Sequence, residues 1–187
     1  MGFKVNKQNI LFIVVIAVLI IPQSRHQIQL LLHKGLSYVN QSTIIEEEDR
    51  LNVDLKNWRL VSDQGDIVNL GEINNRVIVI NFWATWCPPC IVEMPSLQKL
   101  YDEYNEEVVF LFITNDALDI VEKFKNKNNY TFKVYNSTNE IPKELMTSSI
   151  PRTFILNKNS EIVVDEKGAV DWYSSNVKGQ LTSLIQQ

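Results

Sequence analysis

Two cysteines, two histidines and no cluster of Lys and Arg are the scarcities that bound this 187-residue chain. A structural zinc site takes four ligands, commonly from two CxxC pairs or from one pair and two histidines. The single CxxC here is Cys87 and Cys90, and both histidines, His26 and His33, precede the region that reads as a folded body. A zinc-built fold is therefore not expected. The net charge of −4 and pI near 5.3, without a local basic run, leave no electrostatic footprint for nucleic acid, which is not an expected partner. No internal repeat is present. What is there in quantity is apolar surface: 45% hydrophobic and 10% aromatic residues lie well above the range of chains that stay disordered. The length suits one domain plus an extension.

The extension carries its own signal. Lys4 and Lys7 precede the apolar run ILFIVVIAVLII, from Ile10 to Ile21, which Pro22 closes. A basic start before such a core reads as an export segment, although the run is short against the ~20 residues of a full span. No small-x-small cleavage site follows it, which favours an uncleaved anchor over a removed peptide. Lys4 and Lys7 then face the cytoplasm, with Arg25, His26 and Lys34 as a weaker opposing vote. The expected division is 1–22 as signal anchor or signal peptide, 23–50 as linker with the acidic cluster Glu46 to Asp49 solvated, and 51–187 as the domain.

Within the domain, Leu60 to Ser62 and Ile67 to Leu70 flank DQGD and predict a hairpin. VIVINFWA (77–84) and VVFLFIT (108–114) are too continuously apolar for half-exposed strands and suit a parallel pair buried on both faces. Between them Ile91, Met94, Leu97, Leu100, Tyr101 and Tyr104 recur at helical spacing, with a bend expected at Pro95. ALDIVEKFKNKN (117–128) predicts a second helix and TFKVY (131–135) a short strand. A short helix is expected around Lys143 to Met146, then two strands in TFILNKNSEIVV, then a terminal helix from Asp171. Such an alternation implies an α/β sandwich with a mixed sheet, and the cysteines fall at the carboxyl end of a central strand, where open α/β sheets hold their ligands.

Cys87 stands just before the predicted helix and Cys90 in its first turn. The free N–H groups and dipole of a helix N-terminus favour a thiolate there, so Cys87 is the expected attacking sulfur and Cys90 the resolving one. Pro88 and Pro89 suit the first helical positions but remove two N–H donors from the neighbourhood of the sulfur. Other uses of the pair stay open at this point. A structural disulfide closing so short a loop removes little chain entropy. Copper-type binding through one CxxC is possible, and so is a binding module in which the dithiol is incidental. A peroxidase would want a threonine three positions before its cysteine, and Thr85 is two before.

The strings FWATWCPPC and, some sixty residues on, SIPRT together resemble the thioredoxin superfamily. The N-terminal apolar segment, the leading hairpin and Glu93, three residues after Cys90, resemble its membrane-anchored TlpA/ResA-like branch. The likeness spans roughly residues 55–187. It implies a thioredoxin-like three-layer sandwich with a central mixed sheet and an N-terminal β-hairpin. It also implies a thiol-disulfide oxidoreductase that needs no cofactor beyond the Cys87–Cys90 disulfide. By the same resemblance Pro151 is a cis proline beside the disulfide, and the Ile150 backbone pairs with the substrate chain. Trp86 and Pro88 border the sulfur on the substrate side. Where thioredoxin has a buried aspartate this chain has Asn81, which cannot take a proton. Glu93 resembles the acid used in its place, as proton acceptor for Cys90, against the plainer reading of a solvated helix glutamate. Trp83 reads as core, and Trp172 as packing for the terminal helix. The implied setting is the bacterial inner (cell) membrane, single-pass, with the catalytic domain extracytoplasmic or periplasmic. Protein thiols and disulfides would be the substrates and a membrane electron donor the source of reduction. Reductive work such as cytochrome c biogenesis is the implied use; disulfide donation is the alternative.

Overall fold

The computed structural model describes residues 9–13, 16, 21–73 and 75–187. Residues 14, 15 and 17–20 of the apolar run lie outside them, and so does the body of the expected anchor. Among the described residues no helix is long and apolar enough to cross a membrane.

Seven strands form one sheet: β1 (Arg59–Ser62), β2 (Ile67–Asn69), β3 (Val77–Phe82), β4 (Val108–Ile113), β5 (Val134–Ser137), β6 (Arg152–Leu156) and β7 (Ile162–Lys167). Their spatial order is β2-β1-β5-β4-β3-β6-β7. β3 runs parallel to β4 and antiparallel to β6, so the sheet is mixed, with the continuously apolar strand at its centre. Every residue of β3 is buried, as a strand covered on both faces requires.

The two faces follow from the period of two. Val77 and Val79 enter one core with Phe110 and Phe112 of β4, while Ile78, Ile80 and Phe82 enter the other with Leu111 and Ile113. The first core is closed by three helices, α2 (Pro88–Tyr104), α3 (Leu118–Asn128) and α4 (Ser175–Gln186), through Met94, Leu97, Val121, Val177 and Leu181. The second is closed by Val53, Leu55, Trp58, Leu70 and Leu145, from stretches with only short 3-10 turns. Asn81 shares the parity of Val77 and Val79, which turns its amide toward α2. That single polar residue in an apolar strand is how the sheet reaches the site.

The expected hairpin is present as β1 and β2, and Gly65 takes φ 87° in its turn, a conformation that a side chain would strain. α2 continues through Pro95. Two elements differ from expectation. The strand sought in TFKVY starts only at Val134. Thr131 instead gives its N–H to Gln98 Oε1 at 2.9 Å and accepts from Gln98 Nε2 at 2.8 Å, while Phe132 is buried, so the stretch has a strand's burial without its ladder. The terminal helix starts at Ser175 because Ser174 caps it, its Oγ accepting from the Val177 N–H at 3.4 Å. Asp171 to Ser174 form a turn before it.

The stretch read as linker contains a helix, α1 (Pro22–Val39), packed against α2. Its far end is fastened. The Asp171 N–H donates to Ser37 O at 3.2 Å, and Ser42 Oγ donates to Gln180 Oε1 at 2.9 Å. Polar anchors of this kind leave no hydrophobic periodicity for a sequence reading to find.

Candidate active site

β3 ends at Phe82, and a short loop carries the chain to Cys87 at the N-cap of α2. Asp116 holds that loop, its Oδ2 accepting the Thr85 N–H at 2.7 Å. Pro88 and Pro89 occupy the first two helical positions, so the N–H left to cap the sulfur is that of Cys90, which lies 3.4 Å from Cys87 Sγ. The two sulfurs are bonded to each other, 2.10 Å apart. Cys87 is 3% exposed and Cys90 0%, so of the two residues only Cys87 reaches the surface, and by a narrow margin. Trp86 beside it is 70% exposed, whereas Trp83 is buried in the core.

The second element of the site comes from the start of β6. The Ile150–Pro151 peptide bond is cis, and the Ile150 carbonyl oxygen lies 3.7 Å from Cys87 Sγ. Gly168, at φ 82°, gives its N–H to Pro151 O at 3.0 Å, which ties the proline to the end of β7. Residues 63 positions apart in sequence thus meet at one sulfur.

Three residues after Cys90 on α2 lies Glu93, 1% exposed. Its Oε1 accepts from Asn81 Nδ2 at 2.8 Å and its Oε2 from Trp172 Nε1 at 3.0 Å. The same Asn81 nitrogen reaches Thr153 Oγ1 at 2.8 Å, across the β3–β6 ladder in which the two residues are partners. Burial drives the Glu93 carboxyl up to about 8, against the pull of the Trp172 and Asn81 bonds and a contribution from the Val170 main chain. All of these partners are donors. The buried acceptor Asn81 Oδ1 has no partner in the described structure. The solvated reading of Glu93 fails on burial. Trp172, read from sequence as helix packing, proves to be a donor to the carboxylate as well.

What the arrangement can do follows from its parts. It holds a cysteine pair at a helix N-terminus, the Ile150–Pro151 main chain beside the outer sulfur and a buried acid one helical turn past the inner cysteine. No group of three or more His, Cys, Asp or Glu among the described residues is placed to hold a metal ion. On a thioredoxin-like sheet, this is the site of a thiol-disulfide oxidoreductase. Residues 50–181 match the Redoxin family, and the chain belongs to it.

Particular relatives agree in class. The chain is 36% identical over 124 residues to thiol-disulfide oxidoreductase ResA of Oceanobacillus iheyensis, a match spanning 64% of this chain and 63% of that protein. It is 37% identical over 105 residues to sporulation thiol-disulfide oxidoreductase A of Bacillus subtilis, spanning 53% of this chain and 63% of the relative. Its fold is similar to that of a secreted thiol-disulfide isomerase from Corynebacterium glutamicum, with TM-score 0.62 at 21% identity, covering 79% of this chain and 93% of the other.

Proposed function

We propose that this chain is a membrane-tethered, extracytoplasmic thiol-disulfide reductase acting on cysteines of exported proteins, with apocytochromes as one such class. The observation that carries the reading is the Cys87–Cys90 disulfide at the α2 N-terminus with Ile150 O 3.7 Å from its outer sulfur. In the reduced enzyme the Cys87 thiolate attacks one sulfur of a substrate disulfide. That S–S bond breaks, its second sulfur leaves as a thiolate and takes up a proton, and a Cys87–substrate disulfide forms. Cys90 then passes its proton to the ionised form of Glu93 and attacks Cys87 Sγ, which closes the Cys87–Cys90 bond and releases the remaining substrate sulfur. Two electrons have moved from the enzyme pair to the substrate.

Glu93 suits its part because burial raises its carboxyl to about 8, which makes its ionised form a far stronger base toward a thiol than an exposed carboxylate. The Ile150 main chain aligns the substrate as an added strand beside Pro151, and Trp86 and Pro88 flank its approach. The basic start and apolar run at 10–21 support a tether in the bacterial cell membrane, with 51–187 as the catalytic domain outside it. A membrane electron donor then restores the dithiol.

Insulin reduction by the full chain, with Cys87→Ser as control, tests the chemistry, and equal activity in both proteins would sink it. The reduction potential tests the direction. A value near the thioredoxin range of about −270 mV supports a reductant, whereas one near about −120 mV makes the protein a disulfide donor through the same residues.

A further inference from the structure

A groove of about 450 Å³ runs beside the disulfide, and one of its walls is supplied by the last turns of α1. Pro89, Ile150, Pro151 and Ala169 line it from the body of the protein, and Leu36 and Val39 line it from α1. α1 is held in place there. Asn40 Nδ2 donates to Ala169 O at 3.4 Å and Ser37 O accepts from the Asp171 N–H at 3.2 Å, so the helix end is fastened to the segment that also binds Pro151.

Despite that anchoring, Leu36 is 61% and Val39 79% exposed, and Leu32, one turn earlier on the same stripe, is exposed as well. The body of the protein does not use this face. The groove floor is also unpartnered: among the described residues the Ile150 N–H makes no main-chain hydrogen bond. A substrate sulfur has to come within bonding distance of Cys87 Sγ, and Ile150 O lies 3.7 Å from that atom. A polypeptide that brings its sulfur there across Ile150 and Pro151 has this groove beside it, open to the side chain next to the reacting cysteine. No Asp, Glu, Lys or Arg lines that space; His33 and Asn40 are its polar side chains.

We propose that α1 is a specificity-determining wall of the substrate groove, with Leu36 and Val39 selecting extended segments that carry a large apolar residue next to the reacting cysteine. The proposal rests on the oxidoreductase reading above, and it adds a substrate class that the dithiol alone does not define. Because the contact is made by side chains outside the sheet and far from the sulfurs in sequence, it acts on peptide choice and not on the exchange of sulfur bonds. Burying such a side chain against Leu36 and Val39 is worth roughly tenfold in selectivity.

The test uses the reduced full-length chain and two disulfide-linked peptides that differ only in Leu or Ser beside the cysteine, with 2-hydroxyethyl disulfide as a small substrate for the unaltered protein. The unaltered protein is expected to favour the Leu peptide in kcat/KM by roughly tenfold. Leu36→Asp with Val39→Asp is expected to bring the ratio of the two peptides to about one, and Leu36→Met with Val39→Ile to restore it. Being a ratio, the readout is independent of the fraction of enzyme that folds. Reduction of 2-hydroxyethyl disulfide without peptide preference overturns the proposal and leaves the oxidoreductase reading standing. Failure to reduce any of the three overturns both. Concentration-dependent dimerisation, or flotation with phospholipid vesicles, that the double Asp substitution abolishes assigns the face to a second copy or to lipid and overturns the proposal too.

Discussion

Trp172 Nε1 and Glu93 Oε2 lie 3.0 Å apart in the interior, joining the segment ahead of the last helix to the helix that carries the cysteines. A carboxyl out of reach of water has its charge held by such donors alone, so each of them sets how readily it ionises.

Trp172→Phe keeps most of the packing and removes one donor to the charged form. The Glu93 carboxyl is then expected to rise above about 8, by roughly one pH unit, given the usual strength of a hydrogen bond to a charged group. Carboxyl 13C chemical shifts followed against pH in the oxidised protein measure it. A midpoint identical to that of the unaltered protein would show that the indole does not stabilise the ion.

The raised Glu93 also predicts how stability depends on pH. The folded protein keeps its proton up to about 8, whereas the unfolded chain loses it near the ordinary value of 4.5, so between those limits folding takes up a proton. Stability from this group is fully present below about 4.5 and is lost as pH rises toward about 8. Glu93→Gln, which does not titrate, should gain on the unaltered oxidised protein by on the order of a few kcal/mol between pH 5 and 8.5. Urea unfolding of both at the two pH values reads it, and a gap that stays constant would count against the assignment.

Pro89 denies Cys87 Sγ an N–H from the second helical position. Pro89→Ala supplies one, which stabilises the thiolate and with it the reduced form. The potential is expected to rise by roughly 15–30 mV, the equivalent of a single modest hydrogen bond for a two-electron couple. Equilibration with glutathione or dithiothreitol buffers measures it; a fall in potential contradicts the capping argument.

Asp116 fixes the loop that delivers Cys87 by accepting the Thr85 N–H at 2.7 Å. Asp116→Ala leaves that N–H unpaired and is expected to cost about 1–2 kcal/mol, with Asp116→Asn recovering most of it. Denaturant midpoints of the three proteins decide, and an unshifted Ala variant means that water serves the N–H equally well.

The sheet centre and the helix after it were legible in the sequence because burial on both faces writes an unbroken apolar run and an amphipathic helix writes a period. Cys87 and Cys90 stood out because nothing else in the chain offers a thiol. The proline at 151 was singled out by the resemblance of SIPRT, since an X-Pro pair by itself favours trans. Trp172 was missed because its bond to Glu93 spans 79 residues and leaves no local pattern. One signal was available. A buried indole needs an acceptor and a buried carboxylate needs donors, so asking where each sends its polar atoms would have paired them. The docking of α1 had no such signal, for Ser37, Asn40 and Ser42 look like any polar linker until their partners are placed.

The 18 residues of α1 have a mechanical consequence, since a helix rises about 1.5 Å per residue and this one measures roughly 27 Å from end to end. Packed along α2 and fastened at Ser37 and Asn40, that rod is part of the body that carries the cysteines, so the chain ahead of Pro22 leaves the protein from a fixed point and not from a loose segment.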